Sequence, residues 1–279
     1  MDQSKIPKLL QEIPDPPQQL YLRGQLPNQD EYTFLTVIGS RKFSTYGKQV
    51  CEHIIRGLAG YPIVIVSGLA LGMDTLVHQA ALDNNLTTVA IPGSGLGDTV
   101  LYPASNRGLA HTIIKNGGCL LSEFEPDFKA TNWSFPKRNR IMAGISHATL
   151  VIEAENMSGT RITARMATEY NREVFAVPGS IFSPSSEGTN ELIREGATPV
   201  TSAKDIIDFF GFEDQSPKQK QFIALGPDEE KVISLLTEPL SRNHIAKELG
   251  INIIKLNILL SSMEIKGLIK EELGKMYRC

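Results

Sequence analysis

From Phe34 onward, short β-branched apolar runs alternate with longer stretches in which apolar residues recur at helical spacing. Phe34–Ile38, Ile63–Val66, Thr87–Ile91, Cys119–Ser122, Ala148–Glu153 and Glu173–Val177 predict strands, and 45–59, 72–84, 104–116, 137–145 and 160–171 predict helices. The strand runs are almost unbroken in apolar character, as strands covered on both faces must be. Alternation at this spacing predicts an α/β fold, a parallel sheet with helices on both faces. The strands run out into small or turn-forming residues or a carboxylate: Gly39-Ser40, Ser67-Gly68, Pro92-Gly93-Ser94-Gly95, Glu123, Ala154 and Pro178-Gly179. In open α/β sheets the ligand crevice lies beyond the carboxyl ends of the strands, so this edge is the predicted binding face.

The pattern breaks at both ends. Residues 1–30 are rich in Pro, Gln and Asp, including Pro14, Pro16, Pro17 and Pro27, and predict an arm packed irregularly on a main domain over 31–212. A polar linker is expected at 213–227, followed by a small unit over 228–279. Its helices are predicted at Asp228–Thr237, Ser241–Leu249 and Ile253–Lys266, with a β-prone tail at Leu268–Tyr277. Ser241 suits an N-cap and Gly250 the residue after a helix end, and the order suggests a winged-helix module. Eight Lys/Arg balance eight Asp/Glu there, and its third helix offers only Lys255 and Lys266 among Ile and Leu. Groove binding draws on phosphate contacts, so a protein partner is at least as good a reading for this unit as DNA.

Charge changes the picture further. A net charge of −3 and a pI near 6.0 give no global footprint of nucleic-acid binding, so any anion site must be local. Cys51, Cys119 and Cys279 have no metal-like spacing, which suits a reducing compartment. The N-terminus lacks the pattern of a signal peptide and no apolar run reaches ~18 residues; a soluble, cytoplasmic protein with no membrane segment is expected. Asp74 and His78 lie at i and i+4, too few for a zinc site, and predict a structural Asp–His hydrogen bond. The remaining histidines are scattered and carry no assigned chemistry. There is no Walker A pattern, and no dinucleotide fingerprint follows the first strand. Neither a catalytic residue nor a metal or cofactor is assigned.

Local anion chemistry concentrates in four places. Gly39-Ser40-Arg41-Lys42 follows the first strand, where Ser can donate to a phosphate and Arg can fork onto one. Gly93-Ser94-Gly95 belongs to a Gly-rich loop that either cradles a phosphate or only turns the chain, and Tyr102 beyond it suits a base-stacking rim or the core equally. Lys137-Arg138-Asn139-Arg140, after Pro136 at an expected first helical position, places cations where a helix dipole disfavours them. A buried carboxylate such as Glu123 or Glu153, or an incoming anion, should compensate; either Arg138 or Arg140 is expected to be structural, with the other cations facing a ligand. Ser158-Gly159-Thr160 opens the next predicted helix, whose backbone N–H groups favour anions.

Together, VIGSRKFSTYG (37–47), VSGLALGMDTLVHQAAL (66–82), TVAIPGSGLGDTVLYPASN (88–106), LLSEF (120–124), FPKRNRIMAGIS (135–146), LVIEAENMSGTRITA (150–164) and VFAVPGS (174–180) resemble the DprA/Smf DNA-processing family over roughly 31–205. The tail resembles that family's winged-helix appendage. The resemblance implies an extended Rossmann-like domain that binds single-stranded DNA, dimerises, protects incoming DNA and loads the recombinase RecA in natural transformation, without enzymatic activity. By motif it implies DNA contacts from Ser40, Arg41, Lys42, Gly68, Gly93, Ser94, Gly95, Lys137, Arg138, Asn139, Arg140, Ser158, Gly159, Thr160 and Arg161. Arg161 stands where the family commonly has Leu and adds a charge near the pocket. Ala104 stands where relatives often place Lys, and a short arm replaces the helical domain that many relatives carry. Ile206, Ile207, Phe209 and Phe210 are candidate dimer contacts. The alternative reading is a Rossmann-like nucleotide hydrolase of the lysine-decarboxylase-like class, whose PGGxGTxxE pattern is not matched by ENMSGTRITARMATE.

Overall fold

The computed structural model describes residues 6–156, 158–213, 226–236, 240–265, 268–272 and 275–278. In chain order the first part contains α1 (Lys8–Gln11), β1 (Tyr21–Gly24), β2 (Thr33–Ile38), α2 (Thr45–Gly57), β3 (Ile63–Ser67), α3 (Met73–Asp83), β4 (Thr88–Ala90), α4 (Arg107–Lys115) and β5 (Cys119–Ser122). It continues with α5 (Ser134–Ile145), β6 (Ala148–Val151), α6 (Gly159–Glu169), β7 (Glu173–Ala176), α7 (Pro184–Arg194), β8 (Thr198–Pro199) and α8 (Ala203–Phe209). These strands form one sheet in the order β1-β5-β4-β3-β2-β6-β7-β8. β2 through β8 run parallel, and β1 alone pairs antiparallel, with Tyr21 opposite Ser122. The expected α/β sheet with helices on both faces is present.

The side-chain period of two along each strand builds the two covered faces. Phe34, Ile38, Val64 and Val66 point to a layer with Ile141, Met142, Ala164 and Ala167 from α5 and α6. Leu35, Val37, Ile63 and Ile65 point the other way, onto Cys51, Ile54, Val77 and Ala81 from α2 and α3. Full burial of each such side chain contributes about 1.5–3 kcal/mol, so register is strongly fixed at the sheet centre.

The arm differs from expectation. Instead of packing irregularly it supplies α1 and the edge strand β1, and buries Leu10, Ile13 and Leu20 in the α5–α6 layer. Pro-rich spacing hides a four-residue strand because pairing with β5, not local pattern, makes it extend. The helix expected from 137 begins at Ser134, so Pro136 stands at its third position rather than its first. Ile206 and Ile207 are buried against α2 and β7 residues, which removes them as dimer contacts; Phe209 is half exposed, in edge contact with Phe175 and Phe210.

The chain divides into two compact units, Met1–Gln215 and Ser216–Cys279. The second holds α9 (Pro227–Leu235), β9 (Leu240–Ser241), α10 (Arg242–Leu249), α11 (Ile253–Ile265), β10 (Ile269–Glu272) and β11 (Lys275–Arg278), with a β10-β11-β9 sheet. Ser241 caps α10 by accepting from the His244 N–H at 3.4 Å, and Gly250 follows it at φ 64°. Of the linker expected over 213–227, only Glu213, Gly226 and Pro227 are among the described residues, and Thr237, Lys266 and Cys279 lie outside them. Among the described residues no helix is long and apolar enough to cross a membrane.

Candidate nucleic-acid interface

The carboxyl ends of β2, β3 and β6 meet the starts of α5 and α6 around a cavity of about 380 Å³. Its walls include Gly39, Ser40 and Arg41 after β2; Ala70, Leu71 and Asp74 after β3; Phe135, Arg138 and Asn139 from α5; and Ser158, Gly159 and Thr160 at α6. Backbone approach shapes it. A Cβ on Gly68 would lie 2.2 Å from the Arg138 guanidinium and 2.5 Å from the Asp74 carboxylate. Gly72 takes φ +85°, with the Arg41 backbone 2.2 Å from where a Cβ would be, so the Arg41 loop lies directly over the entry to α3. The loop is pinned by Met73 N–H donating to the Ser40 carbonyl at 3.1 Å and Lys42 N–H donating to Ser40 Oγ at 3.1 Å.

The consecutive cations of α5 go to different places. Arg138 is buried; its Nη1 donates to the carbonyls of Gly68 and Ile91, and its Nε donates to Asn139 Oδ1 at 3.1 Å. Burial brings its pKa down to about 10, with Asp74 opposing and Arg41 adding to the fall. Burial likewise raises the Asp74 carboxyl, against the pull of Arg138 and the Ala70 N–H. Arg140 is also buried, but off the cavity: it donates to Glu123 and to the Asp15 carbonyl, and ion-pairs with both carboxylates. Its expected ligand-facing alternative does not arise. Lys137 stays half exposed, 3.8 Å from Glu123 and over the rings of Phe124 and Trp133 at 5.8 and 5.9 Å.

Arg41 and Lys42 are exposed and have no carboxylate partner among the described residues. The Arg41 guanidinium lies 5.7 Å from the Phe135 ring centre, and Phe135 packs at 5.8 Å on Tyr102, which is half exposed. Tyr102 thus takes the rim position rather than the core one. Facing it, α6 begins with Ser158 at the N-cap position making no side-chain cap bond, its Oγ buried and without a hydrogen-bond partner among the described residues. The first N–H groups of a helix have no internal acceptor and favour negative charge. Glu155 is the exposed carboxylate on the cavity wall.

Other expected positions are placed elsewhere. Ser94 is fully buried; its hydroxyl donates to the Gly95 carbonyl and accepts from Tyr102 N–H. A Cβ on Gly95 would meet Glu125 and Pro126 carbonyls, so this loop is packed against 124–128 rather than open to a phosphate. Gly93 does not line the main cavity but a small side cavity, which Arg41, Gly68, Tyr102, Phe135 and Arg138 also line. Arg161 turns away from the main cavity to Asn156 and Glu195, into a second groove of about 260 Å³. Glu153 compensates no α5 cation; it accepts from Ser44 and Ser185 and so ties the starts of α2 and α7. His78 bonds Thr88 at 2.8 Å rather than Asp74, which faces Arg138. The expected pairing fails because each side chain has another partner, Thr88 on β4 for His78 and Arg138 with the Ala70 N–H for Asp74; burial lowers the His78 pKa to about 3. The motif FPKRNRIMAGIS begins on Phe135, but its ring was assigned no role, and Trp133 was not singled out; an aromatic flanking a cationic helix start was the available signal.

Residues 1–211 match the family model for DNA recombination-mediator protein A. The chain belongs to that family. It is 43% identical over 203 residues to DNA processing protein DprA of Streptococcus pneumoniae, covering 73% of this chain and 70% of that protein. Protein Smf of Escherichia coli is 39% identical over 76% of this chain, which spans only 56% of that relative's length. Among solved structures, DprA from Streptococcus pneumoniae aligns with a TM-score of 0.67 at 41% identity, over 74% of this chain and 71% of that one. DNA processing protein A from Helicobacter pylori, whose structure concerns its single-stranded DNA binding mode, aligns with a TM-score of 0.66 at 32% identity, over 74% of this chain and 93% of that one. The DprA/Smf membership and the Rossmann-like sheet expected from the motifs both hold.

Proposed function

We propose that this family member binds single-stranded DNA along the carboxyl edge of its sheet and acts as a recombination mediator rather than as an enzyme. The observation carrying the reading is the pair of exposed cations, Arg41 and Lys42, without a carboxylate partner among the described residues, on a pinned loop beside a cavity with aromatic Tyr102 and Phe135 on one side and the start of α6 on the other. Single strands are held by a positive track with stacking platforms and without base readout, and these parts supply both. Arg41 and Lys42 contact phosphates, Ser40, Asn139 and the Ser158–Thr160 turn add hydrogen bonds, and Arg138 sets the cavity floor through Gly68 and Ile91. The single-stranded DNA binding mode described for the Helicobacter pylori relative supports this reading.

In the cytoplasm the chain would protect incoming strands and hand them to RecA during transformation, working as a homodimer; the DNA-processing names of its relatives support this role. The C-terminal unit is proposed as a winged-helix module that meets a protein partner. Polarisation of a fluorescent oligo-dT, titrated with full-length protein, tests the DNA-binding reading. Saturable binding with preference over duplex supports it, and no binding at low salt defeats it. Incubation with AMP separates the hydrolase alternative: the nucleotide should stay intact, and released adenine or ribose 5-phosphate would favour hydrolysis.

A further inference from the structure

Outside the cavity, the same rim carries a second aromatic group. Trp133 immediately precedes α5 and is 55% exposed, although it is the only tryptophan in the chain. Its ring is set against a fixed support: Phe124 and Phe128 stack at 4.6 Å, and Trp133 meets them edge-on at 5.7 and 5.5 Å. Lys137, one helical turn on, holds its ammonium 5.9 Å from the Trp133 ring centre. Glu123, the carboxylate beneath Lys137, is already engaged by the buried Arg140. Of the other acids on this loop, Glu125 hydrogen-bonds Tyr21 and Asp127 is exposed, with Lys129 beside it in the chain.

The arrangement has the parts of a nucleotide platform: a rigidly backed, half-exposed indole with a cation at its face. Exposed Ile181 and Phe182, in the loop after β7, have no described cation against them. Phe135 lines the cavity while Trp133, two residues earlier, lies against the Phe124 side of the same helix start. A strand leaving the cavity past Phe135 would therefore cross the α5 start and arrive at Trp133.

We infer that Trp133 and Lys137 form a second stacking platform for single-stranded DNA, taking a base on the indole and its phosphate at the ammonium, and extending the bound strand beyond the cavity. The inference rests on the DNA-binding reading above. A base supported in this way is sequence-tolerant, since every base offers a π-face.

Because Trp133 is the chain's sole tryptophan, selectively excited indole fluorescence of the full-length protein reports on this position alone. Titration with oligo-dT should quench it in parallel with the polarisation of a labelled oligo-dT. Trp133→Ala should weaken binding about 5- to 150-fold, the loss expected for one base–aromatic stack, while Trp133→Phe should retain most of the affinity. Thermal melts of both variants separate lost support for Phe124 and Phe128 from lost stacking. Polarisation that saturates with indole emission unchanged, or a Trp133→Ala protein that binds as wild type, overturns the platform and leaves the cavity reading standing. Emission that answers only to protein concentration would mark a protein-contact surface and overturns it too. No rise in polarisation at all defeats both readings.

Discussion

Two arginines illustrate how one residue type does opposite work. Arg138 is enclosed by the Gly68 and Ile91 carbonyls and Asp74, whereas Arg41 is exposed and lies against the Phe135 face. Arg138→Met should destabilise the fold by about 3–5 kcal/mol, because it leaves the Asp74 carboxylate buried without its counter-charge; urea unfolding measures this. Arg41→Glu should shift stability by no more than ~0.5 kcal/mol, as an exposed substitution, and act on binding instead. His78 sets a pH dependence. Burial lowers its pKa from 6.5 to about 3, so its neutral form contributes stability that is present above pH 6.5 and lost as pH falls toward 3. The raised carboxyls of Asp74 and Glu123 act with the opposite sign, so the test is a difference: wild type minus His78→Gln in urea stability should decline through that window, by at most ~1.4 kcal/mol per pH unit. A constant difference would exclude His78 as the titrating group. The cation cluster was legible as a cluster, but its division was not: the partner that claims Arg140 includes Asp15, 125 positions away, and nothing local announces it.

At the level of elements, α5 does most of the positioning. One flank, with Phe135, Arg138, Asn139 and Met142, lines the cavity, and Arg140 ties the helix to the arm and the β5 end. Glu123→Ala should therefore cost up to about 3–5 kcal/mol by leaving the buried Arg140 with only the exposed Asp15 carboxylate as counter-charge, and a double-mutant cycle with Arg140→Met should show coupling; additive losses would mean that the pair is not a unit. The parallel strands β2 to β7 were readable because each is largely apolar, as burial on both faces requires. Elements that depend on a partner were not. β1 exists by pairing with Cys119–Ser122, and β8 is a two-residue extension of the sheet beside β7. The Gly93–Gly95 loop shows the limit of motif reading, since Gly95 makes room for the carbonyls of 125 and 126 and Gly93 for the Phe135 ring, so a Gly-rich pattern alone does not say what its glycines approach.

For the molecule as a whole, an acidic chain is proposed to hold a polyanion through a few cations on one edge. With Arg41, Lys42 and Lys137 each meeting one phosphate, log affinity should fall with log salt at a slope of about −2. The edge was inferable from strand polarity, yet the aromatic support around it was not, because Phe124, Phe128 and Trp133 come together only when the loop after β5 folds onto the start of α5. The central claim is that this edge, through Arg41, carries the binding. The most direct measurement is the polarisation of labelled oligo-dT at two salt concentrations, with wild type and Arg41→Glu side by side. The account predicts a loss of at least about tenfold in the variant, as one charge-assisted hydrogen bond implies, together with a shallower salt slope and an unchanged melting temperature. Equal affinity and equal slope for the two proteins would contradict it.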